Sequence, residues 1–231
     1  MEKLLDIGKI IKGKNAEDIL RALSELKNEK IVFSSSLSYE DQIITHMIFS
    51  QGLNISVFTL DTGRLFPETY SVLSSTLNRY KKQIQVYYPD TKAAQDLVTN
   101  KGPFSFYDSP ENRKECCFIR KVEPLKRALS GKTIWITGIR AEHSEGRNNM
   151  EVAEWDESNN LIKVHPIFNW STEQVKEYIK KNNIPYNPLH DKGFISIGCQ
   201  PCTRAVKEGE NFRAGRWWWE DNSKKECGLH S

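Results

Sequence analysis

The positions of five cysteines constrain this 231-residue chain more than any other feature of its sequence. Cys116 and Cys117 are adjacent, and Cys199 and Cys202 form a Cys-x-x-Cys pair. Four thiols in two pairs match the ligand count of a metal centre, and only a folded domain brings such distant pairs together. The fifth, Cys227, stands alone in a Glu-Cys-Gly-Leu-His sequence near the C-terminus and is a candidate reactive thiol. The pattern predicts a metal centre beside a catalytic thiol.

Composition favours a cytoplasmic enzyme. Hydrophobic residues make up 38% of the chain and charged residues 27%, which is ordinary for a globular protein. The net charge of +3 is too small to indicate nucleic-acid binding by itself. No apolar run is long enough to span a bilayer, and the N-terminus lacks the apolar stretch of a signal peptide. Without a secretory signal, the cysteines are better explained as ligands and reactive thiols than as disulfides.

Short apolar strands alternate with amphipathic helices along the chain. The predicted strands are 30–33, 55–60, 84–88 and 133–137. The predicted helices between them are 40–49, 67–80, 92–98 and 116–129. An earlier helix begins after Asn15, a hairpin is expected over 152–164, and a capping box of Ser171 and Gln174 starts a late helix. Such alternation predicts an α/β fold with an open, mostly parallel sheet flanked by helices.

The sequence loses this periodicity from about residue 184. We predict one α/β domain over 1–202 and an irregular C-terminal tail over 203–231 that carries Cys227. Three consecutive tryptophans, at 217–219, are costly to expose, so this part of the tail is expected to pack on the domain. Basic and aromatic residues interleave in the tail, as in some proteins that bind single-stranded nucleic acid. However, residues 203–231 contain six Lys or Arg and five Asp or Glu, and this near-balance of charge argues against nucleic-acid binding.

Two polar loops follow the first predicted strands. Ser34-Ser35-Ser36 leads into a helix N-terminus, where hydroxyls, backbone N–H groups and the helix dipole suit a phosphate or sulfate. Leu60-Asp61-Thr62-Gly63-Arg64 follows the next strand, at the edge where open α/β sheets bind ligands. The ordinary alternatives are a helix cap at Ser38 and a common Asp-Thr-Gly turn.

A third loop carries Gly138, Arg140 and Arg147 after a further strand. Its arginines can fork onto phosphate oxygens, although most exposed arginines are simply solvated. Three anion-friendly loops at successive strand ends together indicate a nucleotide-like anion as the ligand.

The metal type follows from the geometry of the two pairs. A Cys-x-x-Cys turn serves both zinc and iron–sulfur sites. On a regular helix, Cys116 and Cys117 would point about 100° apart, which strains a site for one zinc ion. A 4Fe-4S cluster presents irons at separate corners and accommodates the sequential pair, so we prefer it to zinc and to two unrelated pairs of buried thiols. Lys121 returns to the face of Cys117 and is placed between cluster and substrate, the alternative being a solvated lysine.

Together these motifs resemble the assimilatory adenylyl-sulfate reductases, which are thioredoxin-dependent sulfonucleotide reductases with an adenine-nucleotide α-hydrolase-like fold. The match runs in the family's order from about Val32 to His230. The combination of Cys-Cys, Cys-x-x-Cys and Glu-Cys-Gly-Leu-His is specific, whereas each loop alone is not. This chain has Ser38 where the family usually has Gly, and His143 where it usually has Gln.

The resemblance implies reduction of adenylyl sulfate to sulfite and AMP, in sulfate assimilation for cysteine biosynthesis. It implies one 4Fe-4S cluster per chain on the four paired cysteines, with thioredoxin or glutaredoxin as the electron donor. Cys227 would be the nucleophile that forms an S-sulfocysteine intermediate, assisted by Lys121. The expected substrate contacts are Ser34, Ser35, Ser36, Leu60, Asp61, Thr62, Gly63, Arg64, Gly138, Arg140, Arg147, Arg213, Arg216 and His230.

Several alternatives stay open at this point. A reductase of 3′-phosphoadenylyl sulfate, or of both sulfonucleotides, would need an additional phosphate pocket. An ATP pyrophosphatase of the same fold usually carries a Ser-Gly-Gly-x-Asp-Ser turn, which residues 34–41 do not reproduce. A zinc or nucleic-acid-binding module is the remaining class. The sequence does not give the oligomeric state, and a homo-oligomer is among the options.

Overall fold

A computed structural model describes residues 2–143, 150–211 and 213–220. The predicted site residues Arg147, Cys227 and His230 lie outside the described residues, and the side chain of His143 is not described either. Among the described residues, no helix is both long enough and apolar enough to cross a membrane.

Helices and strands alternate much as predicted. In chain order they are α1 (Glu2–Ile11), α2 (Ala16–Ser24), β1 (Ile31–Ser34), α3 (Tyr39–Ser50), β2 (Ser56–Leu60), α4 (Pro67–Tyr80), β3 (Gln85–Tyr87), α5 (Thr91–Lys101), α6 (Pro110–Cys117), α7 (Glu123–Leu129), β4 (Ile134–Ile136), β5 (Ala153–Asp156), β6 (Leu161–Val164) and α8 (Thr172–Asn182).

The six strands form one mixed sheet in the order β3-β2-β1-β4-β6-β5. β1 pairs in parallel with β2 and β4, and β4 pairs in parallel with β6. β5 is antiparallel to β6, which confirms the predicted hairpin. The predicted α/β fold with a mostly parallel sheet is therefore confirmed. Because the strand order reverses at β1, the carboxyl ends of β1 and β4 form the edge at which such sheets bind ligands.

The chain divides into two compact units built from interleaved segments. The first unit comprises 1–59, 71–85 and 131–187, and the second comprises 60–70, 86–130 and 188–231. The predicted boundary after residue 202 falls inside the second unit, so the division into a domain and a tail stays a prediction.

The first unit is built on an aliphatic core. Phe33 of β1 and Ile136 of β4 are completely buried, which explains their uninterrupted apolar runs. The predicted caps are confirmed: Asn15 accepts a hydrogen bond from the Asp18 N–H at 3.0 Å, and Ser171 forms the capping box with Gln174. These caps fix where α2 and α8 begin.

In the second unit, residues 116–129 are helical as predicted, but the helix begins earlier and is not α-helical along its whole length. α6 begins at Pro110 and ends at Cys117, a π-helical turn spans Phe118–Val122, and α7 starts at Glu123. Pro124 explains the change in hydrogen-bond pattern, because proline has no N–H and cannot donate the next bond of a regular α-helix. Single π-helical turns of this kind are frequent at functional sites.

Candidate cysteine centre and anion-binding loops

One cavity within the second unit brings both cysteine pairs together. Its lining consists of the four paired cysteines, one phenylalanine and four cationic side chains: Arg64, Phe106, Arg113, Cys116, Cys117, Arg120, Lys121, Cys199 and Cys202. All four cysteines are free thiols in the structure; Cys116 and Cys202 are buried, and Cys117 and Cys199 are partly buried. Pairs that are distant in the sequence therefore share one site, as their spacing predicts.

Two local structures present the thiols to this cavity. Cys116 and Cys117 end α6, immediately before the π-helical turn that carries Lys121. The other pair is held by a 3-10 turn, closed by a 3.0 Å hydrogen bond from the Cys202 N–H to the Cys199 carbonyl. Lys121 was placed on the face of Cys117 by the four-residue spacing of a regular α-helix, and the π-helical turn between them alters that spacing. Lys121 nevertheless lines the cavity.

Burial and charge act in opposite directions on these thiols. Burial, followed by the neighbouring Cys199, raises the pKa of Cys202 to about 12, while Arg216 and Lys121 act to lower it. Burial also raises the pKa of Cys116, opposed first by Arg64. Because metal ligation requires thiolates, cations that favour the thiolate form make these cysteines better ligands.

The four thiols around the cavity fit a thiolate-ligated metal group. Among the described residues, no three His, Cys, Asp or Glu side chains are grouped to hold one metal ion. The cysteines instead surround a shared cavity. Nη1 of Arg64 and Nε of Arg120 are buried and have no hydrogen-bond partner among the described residues. Buried donors of this kind are expected to meet an acceptor, which an anionic thiolate-ligated group in the cavity would supply.

The predicted Asp-Thr-Gly-Arg turn lies beside the cysteines. The Thr62 hydroxyl is 3.2 Å from the Sγ of Cys199, and Arg120 donates to the Thr62 carbonyl at 2.7 Å. Asp61 accepts hydrogen bonds from the Gly63 N–H at 2.8 Å and the Tyr70 hydroxyl at 3.0 Å. Gly63 has a φ of 71°, a left-handed conformation that glycine adopts without steric cost.

Leu60 is the last residue of β2, and Arg64 reaches the cavity from the other end of this turn. The guanidinium of Arg64 lies 5.0 Å from the centre of the Phe106 ring. The turn was predicted to hold the nucleotide; its observed neighbours in the second unit are cysteines and their surrounding cations.

Arg213 and Arg216 occupy the segment that precedes the undescribed C-terminal residues. Arg216 is buried, and a Cβ atom at Gly198 would overlap its guanidinium, so glycine is required there. Arg216 also forms an isolated β-bridge with Thr203, next to Cys202. Arg213 is partly buried. The structure thus places Arg216 against the Cys-x-x-Cys turn.

The serine loop of the first unit wraps around a buried carboxylate. Both the N–H and the hydroxyl of Ser36 donate to Oδ2 of Asp41, at 2.6 and 2.5 Å. Ser35 accepts from the Leu37 N–H at 3.2 Å, and Ser34 accepts from the indole of Trp135 at 2.8 Å. Burial, the largest influence, raises the pKa of Asp41 to about 6.

Ser38 occupies the N-cap position of α3, but its side chain makes no capping hydrogen bond. Its hydroxyl instead lies 3.0 Å from the hydroxyl oxygen of Ser36, whose proton is donated to Asp41. The ordinary explanation of this loop, a serine that caps the helix through its side chain, therefore does not describe the structure.

Gly138 follows β4 and packs directly against the serine loop, since a Cβ atom there would overlap Asp41. Arg140 is only 2% exposed and pairs with Glu40 at 3.0 Å and with Glu142 at 2.8 Å. Direct contact between Arg140 and a substrate would require these ion pairs to rearrange. Its predicted substrate contact stays a prediction.

The sequence reasoning overlooked two residues of the cysteine cavity region. Arg113 lines the cavity, and Glu220 forms a buried ion pair with it. The only sequence signal was local: Ser109 followed by Pro110 indicates a helix start, which places Arg113 on the same helix as the cysteine pair. Nothing local links Arg113 to Glu220.

Comparison with known proteins assigns these features to a family. Residues 30–205 match the family described as phosphoadenosine phosphosulfate reductase domain. The chain belongs to this family. It is similar to the adenosine 5'-phosphosulfate reductase of Allochromatium vinosum, with 48% identity over 202 residues, 87% of this chain and 79% of that protein. The protein of the same name from Neisseria meningitidis serogroup A is 52% identical over 199 residues, 86% of this chain and 82% of that protein.

Solved structures agree on the fold. The crystal structure of phosphoadenylyl-sulfate reductase from Candida auris, a phosphate complex, superposes with a TM-score of 0.75 at 26% identity, covering 89% of this chain and 97% of that one. Yeast FAD synthetase in complex with FAD has a TM-score of 0.57 at 14% identity, covering 91% of this chain and 71% of that one, which shows likeness of fold alone. The family expected from the motifs is confirmed.

Proposed function

We propose that this family member is an adenylyl-sulfate reductase that converts adenylyl sulfate to sulfite and AMP. Relatives that share about half of its residues carry that activity in their names. The observation that carries the proposal is the cavity lined by two cysteine pairs and four cations, because it unites the motifs that distinguish such enzymes. We place the activity in the cytoplasm, in sulfate assimilation for cysteine biosynthesis.

Substrate binding is assigned to the anion-friendly loops that the sequence predicts. Ser34, Ser35 and Ser36 lie near the α3 N-terminus, where the helix dipole favours a phosphate, and Ser36 would have to exchange its hydrogen bonds with Asp41 for bonds to the ligand. Gly138 allows the backbone after β4 to pack against this loop, beside Asp41. The remaining proposed substrate contacts are Leu60, Asp61, Thr62, Gly63, Arg64, Arg140, Arg147, Arg213, Arg216 and His230.

The four paired cysteines would hold one 4Fe-4S cluster. When bound, the cluster supplies an anionic, polarisable centre that fixes the two pairs and the cations around them. Lys121, Arg64 and Arg120 offset that charge, and Lys121 is the cation that we assign to the sulfonate of the substrate. Cations at this point stabilise the charge that moves onto AMP in the transition state.

The proposed first step is covalent. The Cys227 thiolate attacks the sulfur of adenylyl sulfate, a sulfur–sulfur bond forms, and the sulfur–oxygen bond to the phosphate breaks. AMP leaves with that electron pair, and the enzyme carries S-sulfocysteine at Cys227. Splitting one difficult transfer into two easier steps is the general advantage of covalent catalysis.

A dithiol protein completes the reaction. One thiolate of thioredoxin or glutaredoxin attacks the Cys227 sulfur, and sulfite departs with the electron pair of the cleaved sulfur–sulfur bond. The second thiol of the donor then resolves the mixed disulfide, which returns Cys227 as a thiol and leaves the donor oxidised. The two electrons that reduce sulfate to sulfite come from this dithiol.

The first test is an assay of anaerobically purified protein with thioredoxin and each of three nucleotides. Sulfite and AMP should form from adenylyl sulfate faster than sulfite forms from 3′-phosphoadenylyl sulfate. A preference for the 3′-phosphorylated form would favour the second candidate, to which the Candida auris structure belongs by name. Release of pyrophosphate from ATP without sulfite formation would overturn the proposal.

The second test isolates the nucleophile. Incubation with adenylyl sulfate alone should add one sulfonate to the C-terminal peptide, detected by mass spectrometry. The C227S variant should lose this adduct and keep the visible absorption and iron content of the wild type, whereas C117S should lose the absorption. An adduct that persists in C227S contradicts the assignment of Cys227.

A further inference from the structure

A buried ion pair joins the cysteine centre to the segment that leads to the proposed nucleophile. Nε and Nη2 of Arg113 donate to the two carboxylate oxygens of Glu220, at 2.8 and 2.9 Å. The side chains are only 1% and 5% exposed. Such a bidentate, buried pair fixes the position and orientation of both groups. Glu220 is the last described residue before the stretch that contains Cys227.

Arg113 also contacts the cysteine centre itself. It lines the cavity with all four paired cysteines, and its guanidinium lies 4.5 Å from the Trp217 ring centre. Besides its hydrogen bonds with Glu220, Arg113 forms a side-chain hydrogen bond with Cys117. One guanidinium therefore bridges the first cysteine pair and the start of the C-terminal segment.

The same segment is fastened to the second cysteine pair through its backbone. The Trp217 N–H donates to the Cys202 carbonyl at 3.2 Å, and the Glu220 N–H donates to the Trp217 carbonyl at 2.9 Å. Trp217 has a φ of 42°, which is rare for a bulky residue and persists only where the surroundings hold it. Both cysteine pairs thus have a direct link to residues 217–220.

We propose that Arg113 and Glu220 are positioning residues that clamp residues 217–220 to the cysteine centre. The clamp sets where the Cys227 segment begins and makes its presentation depend on the integrity of that centre. A cluster that transfers no electrons in the reaction would still be needed, because it would hold the nucleophile's anchor. This proposal rests on the proposed function only for the role of Cys227.

The second unit contains a second bidentate pair whose side chains do not reach the cysteine cavity. Arg204 and Glu210 form an equally bidentate pair, with both bonds at 2.8 Å. Their side chains are 33% and 30% exposed, and neither residue lines the cysteine cavity. Arg204 reaches residues 213–220 through its backbone, since its N–H donates to the Gly215 carbonyl at 2.9 Å. A change in the Glu210 side chain leaves that bond in place, so it should affect the local chain and not the cysteine centre.

The test compares E220Q with the control E210Q in otherwise complete protein. The readouts are hydrogen exchange of residues 213–220 and the alkylation rate of Cys227, followed by mass spectrometry of the C-terminal peptide. Because E220Q removes a charge-assisted hydrogen bond that closes the segment, both rates should rise about tenfold, with wild-type rates in E210Q. Since E220Q leaves a buried arginine without its counter-charge, R113M/E220L serves as a second variant that removes both charges together.

The link to the cysteine centre is tested by adding C117S to each background. In the wild type, C117S should speed exchange of residues 213–220; in R113M/E220L it should add nothing, because the clamp is already open. Wild-type exchange and alkylation rates in both Glu220 variants, or equal effects of C117S in the two backgrounds, would overturn the proposal. Adenylyl-sulfate reduction by the wild type is assayed in parallel, so a failure of the proposed function is seen separately from a failure of the clamp.

Discussion

Gly138 leaves the space that the carboxylate of Asp41 occupies, since a Cβ atom at position 138 would overlap Oδ1 of Asp41 and lie 3.1 Å from the Cβ of Glu40. The backbone after β4 therefore packs directly on the Asp41 carboxylate, to which Ser36 of the serine loop donates its hydrogen bonds. The loops that follow β1 and β4 are therefore in direct contact at a position where only glycine fits.

Replacement of Gly138 by alanine should disturb the contact between this position and Asp41. The added methyl group must displace Asp41 from its hydrogen bonds with Ser36, and overpacking of this kind costs about 1–3 kcal/mol of unfolding free energy. Urea titration measures the loss. G8A is the control, because a Cβ at Gly8 in α1 meets nothing within 4 Å and alanine favours a helix. Equal stability of G138A and the wild type would show that the loop relaxes freely.

Asp41 should give the stability of the protein an unusual dependence on pH. Burial raises its pKa from 3.8 to about 6, so between these values the native state holds more protons than the unfolded chain. Stability contributed by this group is therefore present at low pH and lost as pH rises through about 6, by roughly 2–3 kcal/mol. In D41N this fall should vanish.

The measurement is the free energy of unfolding of the wild type minus that of D41N, from about pH 4 to about pH 7. The E154Q variant provides the opposite sign, because a hydrogen bond with His165 is the main influence that lowers the pKa of Glu154. The stability that Glu154 contributes to the wild type should be lost as pH falls. A wild-type minus D41N difference that does not change with pH would contradict a raised pKa for Asp41.

The hydroxyl of Thr62 should protect the cysteine centre. It lies 3.2 Å from the Sγ of Cys199, and if Cys199 ligates the proposed cluster as a thiolate, a hydrogen bond to that sulfur contributes about 1.5–3 kcal/mol. T62V should therefore lose its visible absorption in air about tenfold faster than the wild type. T62S keeps the hydroxyl and should behave like the wild type. Identical bleaching of T62V and T62S would assign Thr62 to the turn alone, where it also accepts from the Arg64 N–H.

Local signals in the sequence were sufficient for the sheet. The apolar runs of β1, β2 and β4 are buried between helices, so their pattern has one structural solution, and caps such as Asn15 and Ser171 mark helix starts directly. The cysteine spacing likewise predicted a shared site. Each of these inferences depends on residues that are close in the sequence or on one strong ligand pattern.

Long-range pairings were not accessible in the same way. No signal in the sequence indicates that Arg140 pairs with Glu40 and Glu142, and its predicted substrate contact stays a prediction. Arg113 and Glu220 carry no local signal of their partnership, because their contact exists only after α6 and the C-terminal segment have packed together. The π-helical turn was not predicted, because the helix was inferred from apolar spacing, and that spacing does not show where Pro124 interrupts the hydrogen-bond ladder.

Lys121 offers the sharpest separation between cluster chemistry and substrate chemistry. It lies on the π-helical turn and lines the cysteine cavity, whereas Lys126 on α7 is 5.9 Å from the Phe118 ring centre and does not line the cavity. K121Q and K126Q each remove one positive charge from the same stretch of chain, so the net-charge effect is matched.

K121Q should reduce kcat/KM for adenylyl sulfate by at least about a hundredfold, because one cation aimed at developing transition-state charge is worth some 3 kcal/mol. K126Q should leave it unchanged. Iron content and visible absorption should be equal in both variants and the wild type, since neither lysine is a metal ligand. Parallel loss of absorption and activity in K121Q would instead assign Lys121 to holding the cysteine centre, and a wild-type rate in K121Q would remove it from the reaction.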